Sequence, residues 1–225
     1  MKQTSIVGRL IRKDWEFHRK PMIAYTVVGA LSLALLALGA KLQFYVGSVL
    51  YISALIAAGV HLIMASVVQE RSRKNLAFVM SLPVSAMDYT RAKLYANVLV
   101  FLLPWTLLSG LGLLTVLARR SLPNGLIPFL IAITLEILVG YCLTLAVAMV
   151  SESEGWTIAA VVVANLGFQF FLYFVSHLPS VEATLEGPRV VFGPTLQAVL
   201  VIEVLMIPLI LASIFFFQAR KRDFL

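Results

Sequence analysis

Gln69-Glu70-Arg71-Ser72-Arg73-Lys74 breaks an otherwise apolar stretch that runs from about residue 43 to residue 117. The same interruption continues through Ser81-Leu82-Pro83-Val84-Ser85 to Asp88, Arg91 and Lys93. The apolar segments on either side each exceed the roughly 20 residues that a helix needs to cross a bilayer at about 1.5 Å per residue. The charged block therefore reads as an aqueous loop between two membrane spans. Working outward, further segments of this kind lie at about 21–40, 125–150, 155–178 and 195–217, which with 43–68 and 95–117 makes six. A chain that is 60% hydrophobic and 13% charged is too apolar for water, so the bilayer is its solvent. The expected fold is an all-α integral membrane protein, a single domain over residues 1–225.

Lysine and arginine set the orientation. With the N-terminus on the cytoplasmic side, that side holds six before the first span, five in the 69–94 loop and three in Arg220-Lys221-Arg222. The outer side holds Lys41, Arg119, Arg120 and Arg189. Fourteen against four places both termini in the cytoplasm of a multi-pass cell-membrane protein, and much of the net charge of +7 reflects this asymmetry and attraction to anionic membrane lipids. Nucleic-acid binding would need a basic face on a soluble fold, and the sequence offers none. The first span follows a basic segment and carries Ala37-Leu38-Gly39, a small-x-small pattern, but its apolar run is too long for a cleaved leader and reads as a retained helix.

Before that span, Ile6, Val7, Leu10, Ile11 and Trp15 recur at helical spacing among Arg9, Arg12, Lys13, Glu16 and Arg19. The pattern predicts an amphipathic helix over 5–20 lying in the inner interface, capped by Ser5 and stopped or bent by Pro21. In the 69–94 loop, Leu76-Ala77-Phe78-Val79-Met80 suits a short docked helix ended by Pro83, and Asp88 to Lys93 a helical lead-in to the third span. Ser151 and Ser153 are candidate caps for the fifth span, with Glu152 and Glu154 favourable at its positive end. Pro179, Pro188 and Pro194 break regular structure in the outer 179–194 segment, whose Val190-Val191-Phe192 is placed at the interface. Pro104, Pro128 and Pro208 are expected to kink three spans.

Several chemistries are absent. No glycine precedes Lys-Ser or Lys-Thr, so there is no phosphate-cradling loop, and neither H-E-x-x-H nor G-x-S-x-G occurs. His18, His61 and His177 are far apart, no metal-ligand spacing appears, and Cys142 is the only cysteine. The chain is expected to be no enzyme and to hold no cofactor itself. Glu136 and Glu203 are the only acidic residues deep in the spans. Such carboxyls usually face a cavity, a partner or a pathway, so they are candidate transport-pathway residues. A glutamate bonded between helices, or turned to the outer interface, is the equal alternative. His61 reads as a packing or interfacial group near the inner end of span two. Asn97, Asn165 and Gln169 read as interhelical hydrogen-bond partners, worth about 1 kcal/mol each. Ala54 and Ala58 permit close helix approach.

The order Glu70-Arg71, a short amphipathic helix, Ser81-Leu82-Pro83-Val84-Ser85 and then Lys93 opening the next span resembles the membrane subunit of a type 2 ABC transporter. The sequence-specific part covers about 25 residues, and the six-span architecture with an interfacial N-terminal helix extends it over the chain. The resemblance implies that the 69–94 loop forms a coupling helix seated on a separate cytoplasmic ATP-binding subunit, which would carry the ATP and Mg. Glu70, Arg71, Arg73 and Lys74 would make its polar contacts, and Leu76, Phe78 and Val79 its apolar contact or underside. It further implies a homodimer, or a heterodimer with a related permease, and export more often than import. The short 179–194 segment departs from relatives with large outer domains. A stand-alone proton-coupled carrier using Glu136 and Glu203 and a non-transporting membrane scaffold are the competing readings.

Overall fold

The computed structural model describes residues 6–39, 41–72, 86–119, 122–151 and 153–220. Its helices are α1 (Ile6–Leu36), α2 (Lys41–Ile63), α3 (Gln69–Ser72), α4 (Ala86–Ala118), α5 (Leu126–Ser151), α6 (Glu154–Ser176), α7 (Pro179–Leu185) and α8 (Pro194–Arg220). A π-helical turn, Met64–Val68, joins α2 to α3. Six of these helices, α2 counted with its π turn, are long and apolar enough to cross a membrane, and the described residues contain no strand. The protein is an all-α, membrane-spanning bundle.

The first expected boundary is not there. The amphipathic segment and the first span are one helix, α1, which passes through Pro21. Asp14, His18, Met22, Gly29, Leu33 and Leu36 are all buried and fall on one stripe at helical spacing. That stripe packs on α2 and α4 along its length, and tertiary packing outweighs the one hydrogen bond that Pro21 removes. The Ala37-Leu38-Gly39 triplet makes the turn into α2, with Gly39 N–H bonded to the Leu36 carbonyl at 3.2 Å.

α1, α2 and α4 form one packed group, and α5 with α6 and α8 another. The groups meet where α5 leans on α2 and α4, around fully buried Leu55, Phe101 and Leu145. Ala54 and Ala58 are both buried on α2. Trp105 of α4 donates to the Thr134 carbonyl of α5 at 2.8 Å, and buried Gln218 ties the end of α8 to the Met149 carbonyl at 2.8 Å. Chain ends and loops alternate between two ends of the bundle. We call the end bearing α3, the start of α4 and the α5–α6 turn the basic end, and the other the far end.

Prolines at the far end initiate helices as well as interrupt them. Pro179 occupies the first turn of α7, an element absent from the sequence reading, and Pro194 opens α8. Proline is favoured there because its missing N–H would have no helical partner anyway. Pro128 lies in the first turn of α5 for the same reason and kinks nothing mid-span, whereas Pro104 and Pro208 are interior to α4 and α8. Asp88 to Lys93 is the lead-in expected, since α4 begins at Ala86. Ser153 caps α6 by accepting from Trp156 N–H at 3.5 Å, with Glu154 in the first turn. Val190, Val191 and Phe192 are exposed.

Candidate functional site

The basic end holds a buried group of charges built from three helices. The inward stripe of α1 presents Asp14 and His18, α3 presents Glu70, and the first turns of α4 present Lys93. Lys93 donates to Asp14 Oδ2 at 2.9 Å and also to Glu70 Oε2. Glu70 in turn accepts from Lys13 Nζ at 2.7 Å through its other oxygen. The Lys93, Asp14 and Glu70 side chains retain 7%, 9% and 11% of their exposure, which separates them from surface ion pairs such as Arg12–Glu16. A cavity of about 190 Å³ lies beside them, bounded also by Phe17, His18, Ser66 and Gln69.

The π turn aims α2 at this group. Its Gln69 N–H bonds to the Met64 carbonyl five residues back, so the register slips by a residue just before Glu70. Ser66, inside the turn, donates to Asn97 Oδ1 at 2.6 Å. Asn97 donates to the Lys93 carbonyl at 2.9 Å, and its own carbonyl accepts from Tyr141 of α5 at 3.0 Å. Lys93 is thus held at the side chain by two carboxylates and at the backbone by a network that reaches Ser66 and Tyr141 of α5.

Burial alone would raise the pKa of the Glu70 carboxyl. The Lys93 charge, with the hydrogen bond and charge of Lys13, outweighs that effect and leaves it below the ordinary 4.5. A folded-state value below the unfolded one gives stability that is complete above pH 4.5 and lost as pH falls through the lowered value. Thermal unfolding in detergent is expected to show a falling midpoint over that acid range. Glu70→Gln should flatten this part of the curve, and an unchanged slope would exclude Glu70 as its source.

The expected site residues divide three ways. Glu70 is turned into the bundle, onto Lys93 and Lys13. Arg71 lies on α3 beside it, and Arg73, Lys74, Leu76, Phe78 and Val79 lie outside the described residues. In the membrane, Glu136 of α5 is half-buried on the wall of a second cavity, and Glu203 of α8 is 4% exposed with neither oxygen hydrogen-bonded among the described residues. Asn97 bridges helices as expected. Asn165 instead donates to the Val161 carbonyl of its own helix at 2.9 Å, and Gln169 is exposed. His61 is exposed and its ring lies tilted near Tyr25, 5.7 Å between ring centres.

Sequence reasoning missed Asp14 and His18, which an amphipathic reading of 5–20 leaves among the polar faces. The available signal was their spacing of four, in line with Met22 and the apolar stripe beyond. Among the described residues no three His, Cys, Asp or Glu side chains converge on a metal-sized site. Comparison with protein-family models, with curated proteins and with solved structures gives no match.

Proposed function

We propose that this chain is the membrane subunit of a type 2 ABC transporter, an exporter powered by a separate cytoplasmic ATP-binding subunit that carries ATP and Mg. The observation that carries the reading is the pairing of Lys93 with Glu70 and Asp14. Glu70 and Lys93 lie at the two ends of the segment between the second and third spans, and Asp14 brings in the first. A push on residues 73–85 is therefore delivered to α1, α2 and α4 together, which is what a coupling loop requires. The sequence supplies no phosphate-cradling loop, so the energy for such a push comes from another chain. In this reading the basic end and both termini are cytoplasmic, and two such subunits, alike or related, assemble with two copies of the ATPase.

The unpartnered carboxyl of Glu203 favours a second reading, a proton-coupled carrier that needs no ATPase. Affinity purification of the tagged chain from its native membrane separates the two. The ATPase reading predicts that an ATP-hydrolysing protein co-purifies with the chain and that Glu70→Gln leaves hydrolysis running while transport falls. A chain recovered without any ATP-binding protein, yet active in liposomes under a proton gradient, would establish the carrier.

A further inference from the structure

Near the middle of the spans, α2, α4, α5 and α6 enclose a half-open cavity of about 40 Å³. Its walls are apolar except for Glu136, Tyr141, Thr144 and Asn165. The hydroxyl donors of Tyr141 and Thr144 are committed, and so is one of the two amide hydrogens of Asn165. The Tyr141 hydroxyl donates to the Asn97 carbonyl, the Thr144 hydroxyl to the Gly140 carbonyl at 2.8 Å, and the Asn165 amide to the Val161 carbonyl. What is left is mostly acceptor capacity, the Glu136 carboxylate, the Asn165 amide oxygen and hydroxyl lone pairs, against a single Asn165 N–H. Phe101 and Tyr141 stack at 3.9 Å and 17°, and both rings border the same space.

A site that holds a carboxylate, has more acceptors than donors and is bordered by aromatic rings is complementary to a positively charged donor. The missing third ligand argues against a metal ion, since no such cluster exists among the described residues. The volume accommodates about three water-sized groups, enough for an ammonium head and too little for a bulky solute, so the remainder of the ligand must lie in the opening.

We propose that this cavity binds the protonated amine of an amphipathic molecule, with the ammonium on Glu136 and the apolar body against the Phe101 and Tyr141 rings. The transport reading is needed only to call this amine cargo; binding itself stands apart from it.

The test is equilibrium binding of radiolabelled benzylamine at pH 7 to the full chain in phosphatidylcholine nanodiscs. Saturable binding is expected, displaced by unlabelled benzylamine and not by benzyl alcohol or phenylacetate. Glu136→Gln should weaken it about tenfold, the loss of one charged hydrogen bond. Ala164→Leu, which fills the wall opposite Gly140 without touching charge, should weaken it too, and unchanged unfolding midpoints confirm that both variants are folded. Repeating the titration in phosphatidylethanolamine nanodiscs identifies the source. Competition by the lipid assigns the site to a head-group amine, and its absence to a soluble one. Equal displacement by benzyl alcohol, or affinity unchanged in Glu136→Gln, would overturn the proposal. An ATPase that co-purifies with a chain binding no amine would leave the transport reading intact and remove only this one.

Discussion

Lys93→Met is expected to destabilise the folded chain by about 3–5 kcal/mol, the range found when one member of a buried ion pair is removed. The methionine fills similar volume, so the loss comes from charge and not from packing. Without Lys93, Asp14 is left buried without the cation that its Oδ2 now faces at 2.9 Å, and Glu70 retains only half-exposed Lys13. The same substitution in an Asp14→Asn, Glu70→Gln background should cost far less, because no uncompensated carboxylate remains. Unfolding titrations of the four chains in mixed micelles give the coupling energy directly. If Lys93→Met is equally harmful in both backgrounds, the ion group is not what holds α1, α3 and α4 together.

The second large effect lies at the far end, at Gly125. A β-carbon built there would sit 1.8 Å from the Thr184 carbonyl oxygen and 3.0 Å from that of Leu185. Both are backbone atoms, so no side-chain rotation relieves the clash. Gly125 N–H also donates to the Gly187 carbonyl at 3.0 Å, and Asn124 donates to that of Pro188 at 3.2 Å. These contacts pin the segment following α7 to the start of α5. Gly125→Ala must push the two apart, break those hydrogen bonds and open the cluster of Ala132, Val175, Val181 and Leu196 beneath. A loss of about 1–3 kcal/mol is expected from overpacking alone. Proteolysis within 179–193 should accelerate in the variant. A cleavage rate equal to the parent's would mean that α7 is not held by this approach.

The spans were legible in the sequence because the bilayer imposes a length on them that few other contexts demand. α2 with its π turn, α5 and α6 lie within about two residues of where apolar run length puts them, and the Ser153 cap follows from side-chain chemistry in a single turn. Pro21 and Pro179 show where local rules lose. At Pro21 a packing stripe from Asp14 to Leu36 holds the helix through a residue that would end it in isolation. At Pro179 the ring begins a helix because it sits at a first turn, a fact fixed by where α6 stops. The buried charges were the least legible part. Lys93 and Glu70 stood out by position, but Asp14 is accommodated inside only because α4 brings Lys93 to meet it, and His18 follows on the same stripe one turn later. The π turn that sets Glu70 against that lysine has no sequence signature of its own. Glu136 and Glu203 could be placed by depth, whereas the cavity beside Glu136 arises from four helices meeting and is invisible to any one of them.

Whether the 69–94 segment bears on a separate ATP-hydrolysing protein can be measured at the contact itself. A photo-activatable cross-linker placed at Phe78 of the full chain, irradiated in the native membrane, is expected to give one dominant adduct with an ATP-binding protein. Adducts with lipid or with a second copy of this chain, and none with an ATP-binding protein, would contradict it.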